Sequence, residues 1–359
     1  MAQALRLARR GLYSTRPNPR VGCVIVNDGR VVSEGFHYRA GEAHAEVAAL
    51  SAAGLAATGA TAYVTLEPCS HFGRTPPCAE ALINARIGRV VYAVRDPNPR
   101  VAGGGEARLN AAGIACASGL LASEARELNR GFFMRYEQGR PFVSVKLGMS
   151  LDGKVALANG QSQWITGPDA RADVQRLRAQ ADAILTGSGT LLADNPQLNV
   201  RDPQFDLGER PPARVIIDSR LRSPLAARVF KVPGEVRIFT TRTSTCAEAL
   251  QLRAQGAIIE TIGSTAAGVA LKEVLRRLGE LEINEVLVEA GPTLVGSLLA
   301  TGEVDELVLY VAPVLLGAQA RNAFNWPDPA TLAEAPRLLL KETVRIGADQ
   351  RMTLRLTSP

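Results

Sequence analysis

The sequence predicts an α/β protein built from two domains, and three observations carry that prediction. The chain has 359 residues, more than one hydrophobic core usually spans, so two domains of roughly 150 to 200 residues are expected. Apolar residues make up 46% of the chain and charged residues 21%, a balance that excludes a disordered protein and supplies sizeable cores. Short β-branched runs alternate with alanine- and leucine-rich segments of helical length, which is the pattern of a largely parallel sheet covered on both faces.

The elements follow in order. Leu5, Leu7, Ala8 and Leu12 place a short helix that ends near Gly11. "VGCVIVNDGRVVSEGFH" reads as a hairpin, because two β-branched runs flank Asn27-Asp28-Gly29. "AHAEVAALSAAG" is a helix opening near His44 and closed by glycine. "TAYVTLEP" is a strand broken by Pro68, "CAEALINARI" a helix, "RVVYAV" a strand, "GGGEARLNAAGI" a helix and "ACASG" an edge strand. "SEARELNRGFFMRYEQ" reads as one helix, after which Gly139-Arg140-Pro141 interrupts the pattern and sets the domain boundary, giving domains 1–140 and 141–359. The second half alternates again: strand "PFVSVKLGMSLDG", helix 168–180, strand "AILTG", a polar stretch 193–213, strands "RVIID" and "VRIFTT", helix 247–255, strand "AIIETI", helix 268–278, strand "EVLVEAG", helix 293–300 and strand "ELVLYVAP".

Composition narrows the function. No apolar run approaches the roughly 20 residues that span a membrane, and the N-terminus lacks the apolar stretch of a secretion signal, so a cytoplasmic protein without membrane contact is expected. Cys23, Cys69, Cys78, Cys116 and Cys246 are odd in number and scattered, which suits a metal or free thiols better than a disulfide framework. The net charge is +6, and only five of the 41 basic residues are lysines. Arginine forks match phosphate geometry, but no dense basic block marks a nucleic-acid surface.

"HAEVAAL" opens the first constellation. His44, Cys69 and Cys78 offer one imidazole and two thiolates, a zinc set that leaves a fourth position open, as catalytic sites do. Glu46 lies two residues beyond His44, so one helical turn can aim the imidazole at the metal and the carboxylate at a metal-activated water, the apparatus of hydrolytic deamination. His-x-Glu followed by Pro-Cys and a second Cys is the signature of zinc-dependent nucleobase deaminases, here with eight residues, "SHFGRTPP", between the cysteines instead of two. A polar helix face explains a lone His-x-Glu equally well; it does not explain the ordered cysteines downstream.

In the second half, "INEVLVEAGPTLVGSLL" reads as a strand, a Gly-Pro turn and a helix start, whose free amides make a diphosphate site. No GxGxxG follows a strand in the right context, so a Rossmann domain is disfavoured.

"EPCSHFGRTPPCAE" and "RPNPRVGCVIV" closely resemble the deaminase half of the bifunctional riboflavin-biosynthesis deaminase/reductase (RibD) family. "KLGMSLDGKVAL", "QSQWITG", "LRAQADAILTGSGTLLADNPQLNVR", "VIIDS" and "VEAGPTLVGSLL" resemble its reductase half, so the likeness covers nearly the whole chain. The resemblance implies a cytidine-deaminase-like α/β/α domain followed by a dihydrofolate-reductase-like α/β domain. It also implies Zn²⁺ and NADPH as cofactors, a small phosphorylated pyrimidine as substrate, and a homo-oligomer, a dimer in the first instance. Carried over position by position, it implies that Gly148, Trp164, Thr190, Asp194, Ser219 and the run Gly291, Pro292, Thr293, Leu294, Val295, Gly296 and Ser297 line the NADPH site. By the same resemblance Ser162, Arg178, Leu198, Arg201 and Glu289 line the substrate site, with the arginines as a phosphate clamp and Trp164 as an apolar wall. Asn18 resembles the asparagine that meets substrate near the metal. His71 and Arg74, in the long loop, are candidates for the ribose phosphate.

Lys146 and Glu289 are read at strand ends facing the cleft, where either could protonate the opening ribose. Arg242, with Ser219 as accessory, is the candidate reader of the NADPH 2′-phosphate. Many relatives carry a second histidine where this chain has Ala48, a position expected to tune packing or substrate contacts. The competing readings are a zinc deaminase acting on nucleic acid with a C-terminal binding module, and a closed zinc scaffold with Cys23 as its fourth ligand.

Overall fold

Asp28 and Gly29 take φ values of 48° and 74°, left-handed conformations that this residue pair supplies at low steric cost and that match strand twist. In the computed structural model, which describes residues 1–70, 76–208, 210–266 and 268–356, β1 (Gly22–Asn27) and β2 (Arg30–Phe36) therefore pair antiparallel across the predicted turn. The chain divides into two units, Met1–Gly139 with Asp206–Gly208, and the remaining described residues from Arg140 onward.

The first unit runs α1 (Ala2–Ala8), β1, β2, α2 (Ala45–Ala53), β3 (Thr61–Val64), α3 (Cys78–Asn84), β4 (Arg89–Tyr92), α4 (Gly104–Ala111), β5 (Ala115–Ser118), α5 (Ala122–Leu128) and α6 (Arg130–Gln138). Its sheet has the order β2-β1-β3-β4-β5. Only β3, β4 and β5 are parallel; β2, β1 and β3 are antiparallel, so the largely parallel sheet expected here is mixed. Ile25, Val64, Leu82, Val90 and Leu109 fill the core beneath the helices. Gly35 lets β2 lie directly on α2: a side chain there would run into the Ala45 carbonyl and the Ala49 amide. The helix expected over 123–138 is two, because the Asn129 side chain exchanges hydrogen bonds with the Arg20 backbone, accepting from its N–H at 2.7 Å and donating to its carbonyl at 3.0 Å. That local competition with the helix ladder turns the chain.

The second unit runs β6 (Phe142–Ser150), β7 (Lys154–Ala156), α7 (Pro168–Gln180), β8 (Ala183–Gly187), α8 (Ser188–Asp194), β9 (Ala213–Ile217), β10 (Val236–Thr240), α9 (Ala247–Ala254), β11 (Ala257–Thr261), β12 (Ser264–Thr265), β13 (Gly268–Val269), α10 (Leu271–Glu280), β14 (Glu285–Val288), α11 (Pro292–Thr301), β15 (Glu306–Ala312), β16 (Arg321–Asn322), β17 (Leu338–Ile346) and β18 (Asp349–Leu356). The main sheet is ordered β11-β10-β9-β8-β14-β6-β15-β18-β17. Its strands are parallel from β11 to β15, so their C-terminal ends share one side, where α/β sheets place ligands. The hairpin β17–β18 closes the sheet antiparallel. The predicted helix 268–278 begins later, at Leu271, because Gly268 sits at φ 113° within a two-residue strand. Among the described residues no helix is long and apolar enough to cross a membrane.

Candidate active sites

The first site is assembled at element ends. His44 is the extended residue capping α2, Cys69 follows β3, and Cys78 opens α3. His44 Nδ1 lies 3.0 Å from Cys78 Sγ and 3.6 Å from Cys69 Sγ, and the Cys78 N–H donates to Cys69 Sγ at 3.3 Å. All three ligand atoms lie within 4.8 Å of one another. Atoms around a tetrahedral zinc, with bonds of about 2.0 to 2.3 Å, sit about 3.5 Å apart, so the donor set fits that ion. No other His, Cys, Asp or Glu joins the group among the described residues. Cys23, the candidate fourth ligand of a closed scaffold, packs instead in the apolar core. Hydrogen bonding from the Cys78 side chain pulls the Cys69 thiol below its ordinary range, which favours a thiolate there.

Glu46, in the first turn of α2, is 3% exposed. Burial pushes its carboxyl up to about 7, where one group can both take and give a proton near neutrality. Next to the His44 ring, Asn18 Nδ2 lies 3.0 Å from His37 Nε2, and His37 Nδ1 lies 3.0 Å from the Ala43 carbonyl. His71 and Arg74 lie outside the described residues.

Glu67, read from sequence only as part of Glu-Pro-Cys, is buried and accepts the N–H groups of Asp96 at 3.4 Å, Gly103 at 3.0 Å and Glu106 at 3.3 Å. Gly105 lies so close that a side chain on it would strike the Pro68 carbonyl. Together these contacts fasten the segment carrying Cys69 to the start of α4. Sequence offers only an acid directly before Pro-Cys, and its partners lie some thirty to forty residues downstream.

The second unit gathers its candidates around a buried ion cluster. Glu289, just past β14, accepts from Arg178 Nε at 2.6 Å and Nη2 at 2.9 Å, while Arg178 Nη1 donates to the Asn199 carbonyl at 3.0 Å. Burial pushes Glu289 up, yet the Arg178 charge holds it below the ordinary carboxylate range. Lys146 stands in the middle of β6, not at its end; its ammonium lies 5.7 Å from the Tyr310 ring centroid, and burial lowers its pKa against the pull of Glu289. Tyr310 is fixed by its hydroxyl, which donates to Asp173 at 2.6 Å. Gly148 keeps the backbone open beside Lys146, whose Nζ would lie 3.8 Å from a Cβ there.

Several expected positions are used differently. Each Arg178 nitrogen already has a protein partner, so this residue is first an ion-pair anchor and not an open half of a clamp. Arg201 is exposed, its side chain 3.4 Å from Asn199 Oδ1 and its N–H bonded to Gln175. Leu198 is 2% exposed and its side chain belongs to the core around Leu191 and Ile216. Trp164 is 68% exposed, with the Arg171 guanidinium 4.6 Å over its ring, so the apolar wall is a cation–aromatic stack.

In α11, Gly291 is the cap and Pro292 the first residue. Pro292 has no N–H, which leaves Thr293 and Leu294 as the first-turn donors. Val295 is buried in the core, a side chain on Gly296 would meet the Asn325 carbonyl, and Ser297 Oγ donates to the Thr293 carbonyl at 3.0 Å. Ser162 and Thr190 are half-buried and Asp194 is exposed. The Ser219 carbonyl accepts from the Thr240 and Thr241 hydroxyls at 3.2 and 2.9 Å, joining the loops after β9 and β10, and Arg242 is half-exposed 3.9 Å from Glu248.

Comparison with known proteins bears on the whole chain. Residues 1–94 match the cytidine and deoxycytidylate deaminase zinc-binding region, and residues 141–351 match the RibD C-terminal domain. The chain belongs to the RibD family. It is 50% identical to the riboflavin biosynthesis protein RibD of Escherichia coli K12, over 97% of this chain and 96% of that one. It superposes on Acinetobacter baumannii RibD with a TM-score of 0.92 at 46% identity, covering 99% and 98% of the two chains. A Thermotoga maritima diaminohydroxyphosphoribosylaminopyrimidine deaminase/5-amino-6-(5-phosphoribosylamino)uracil reductase superposes with a TM-score of 0.86 at 33% identity, covering 99% and 97%. RibD proteins are bifunctional deaminase/reductases of riboflavin biosynthesis, and membership makes this chain an enzyme of that kind, a hydrolase joined to an oxidoreductase. A nucleic-acid deaminase with a C-terminal binding module is not favoured.

Proposed function

We propose that domain 1–140 removes the exocyclic amine at position 2 of 2,5-diamino-6-ribosylamino-4(3H)-pyrimidinone 5′-phosphate, and that domain 141–359 then reduces the ribosyl side chain with NADPH. Water enters, ammonia leaves, and the product of both steps is 5-amino-6-ribitylamino-uracil 5′-phosphate. The observation that carries the reading is the three-ligand cluster of His44, Cys69 and Cys78 beside the buried Glu46. Zinc held by those three residues would supply the Lewis acidity that brings a water's pKa to about 7. Glu46 takes a proton from the attacking water and delivers one to the departing amine, a task its pKa of about 7 suits. Glu67 keeps Cys69 in place by holding the next loop.

In the second domain NADPH would supply the hydride. Thr293 and Leu294 at the start of α11 are the donors for its diphosphate, and Ser219 and Arg242 face its adenosine ribose. Lys146, poised by burial to part with a proton, is the acid for the opening sugar, and the Arg178–Glu289 pair fixes the charge around it. Ser162 and Arg201 meet the substrate phosphate. The functional unit is a homo-oligomer, a dimer in the first instance.

Purified protein incubated with the diaminopyrimidinone ribosyl phosphate should release ammonia without NADPH, and should form the ribityl product only when NADPH is added. Reduction without prior deamination, or neither product, would refute the reading.

A further inference from the structure

We infer that His37 is a positioning residue that dictates which end of the Asn18 carboxamide meets the substrate, so that Asn18 offers its carbonyl oxygen to an N–H donor of the aminopyrimidinone. The inference rests on the deaminase reading and adds a recognition rule to it. The wiring starts at Ala43, whose backbone carbonyl lies 3.0 Å from His37 Nδ1. A carbonyl only accepts, so Nδ1 carries the hydrogen, and in a neutral imidazole Nε2 is then the bare acceptor. The atom 3.0 Å from Nε2 is Asn18 Nδ2, which can only donate. Both ring nitrogens are thus spoken for, and the order of donors runs one way, from Asn18 through His37 to the Ala43 carbonyl.

The backbone at both ends is held. Asn18 sits between Pro17 and Pro19, which restricts it to an extended conformation, and its N–H donates to the Thr15 carbonyl at 2.9 Å. The His37 N–H donates to the Val21 carbonyl at 2.9 Å. With backbone and amide nitrogen both tethered, rotation of the Asn18 side chain would break the bond to His37, so Oδ1 is the end left for a ligand.

The His37 ring meets that of His44 edge-on, with centroids 5.3 Å apart, which sets this relay against the candidate metal ligand. A carbonyl oxygen presented there selects a ring bearing an N–H and rejects one bearing a lone pair. An aminopyrimidinone satisfies that demand.

A double-variant cycle tests the assignment in the full-length enzyme, reading deamination of the diaminopyrimidinone ribosyl phosphate. His37→Phe keeps the ring against His44 and removes both nitrogens. It should lower deamination kcat/KM by about tenfold, with zinc content and NADPH-dependent reduction of the deaminated substrate unchanged. Asn18→Ala should lose at least as much, and the double variant should be no worse than Asn18→Ala alone, because His37 acts through Asn18. His37→Gln, whose side-chain oxygen can accept the same Asn18 proton, should recover most of the loss. Multiplying effects in the double variant, or a Gln variant as poor as Phe, would overturn the inference. If the parent enzyme does not deaminate this substrate, the functional reading falls, and the relay with it.

Discussion

The two candidate sites are built in opposite ways. In the first unit, three ligand atoms and one carboxylate come from the ends of α2, β3 and α3, and each is chemically distinctive. In the second, the candidates are common residue types, Lys146, Arg178 and Glu289, which four distant elements bring together beside Tyr310 in an ion cluster with few open valences. The first site would concentrate its chemistry in an ion held by three ligands; the second would spread it over a cluster of side chains beside a cofactor that comes and goes. Damage to the first should therefore be abrupt and confined, whereas damage to the second should mix stability with activity.

The largest expected effect breaks the first site. Cys78→Ala leaves two protein ligands, so zinc measured per chain should fall well below one and deamination should be abolished, with the reductase step intact. Retained zinc and deamination would mean the ligand set is misread.

Next in size is the ion cluster. Arg178→Met strands the buried Glu289 carboxylate, and the second unit should lose about 3 to 5 kcal/mol of stability together with reductase activity. Adding Glu289→Gln should restore much of the stability but not the activity, which thermal unfolding and NADPH oxidation can separate. Equal recovery of both would assign the pair a purely structural role.

These two units also differ in how much the sequence disclosed. His44, Glu46, Cys69 and Cys78 were legible because thiolate and imidazole in that order have few other uses. His37 and Glu67 were not, since their roles depend on partners far away in the chain, Asn18 in one case and Gly103 in the other. Strand β6, helix α7 and strands β8, β9, β10, β11, β14 and β15 were readable from apolar runs, whereas the two- and three-residue strands β7, β12 and β13 were not. The hairpin β17–β18 escaped because β17 is exposed along most of its length and shows no alternation of burial. Leu198 and Val295 were assigned to ligand surfaces by likeness of segment, but their side chains belong to the core; likeness locates a segment and does not say which way each side chain faces.

A smaller effect sharpens the reductase side. If Arg242 reads the 2′-phosphate, Arg242→Ala should weaken NADPH by roughly tenfold or more and leave NADH almost unchanged. An unaltered ratio of kcat/KM for the two cofactors would rule Arg242 out as the reader of the 2′-phosphate.

A further effect concerns pH. Burial raises Asp96 from 3.8 to about 7, so folding favours its protonated form. Its stabilising contribution is complete below pH 4 and is lost as pH rises to about 7. Asp96→Asn should flatten this part of the stability profile of the deaminase unit, followed by urea unfolding between pH 4 and 8. An identical slope in the variant would remove Asp96 from the account.

The most direct test of two separate chemistries in one chain is Glu46→Gln, assayed for each half-reaction with zinc content measured on the same sample. Zinc should remain at the parent level, ammonia release from the diaminopyrimidinone should fall by about 10²-fold or more, and NADPH-dependent reduction of the deaminated substrate should proceed at the parent rate. Near-normal deamination in this variant, or a parallel loss of reduction, would contradict the account.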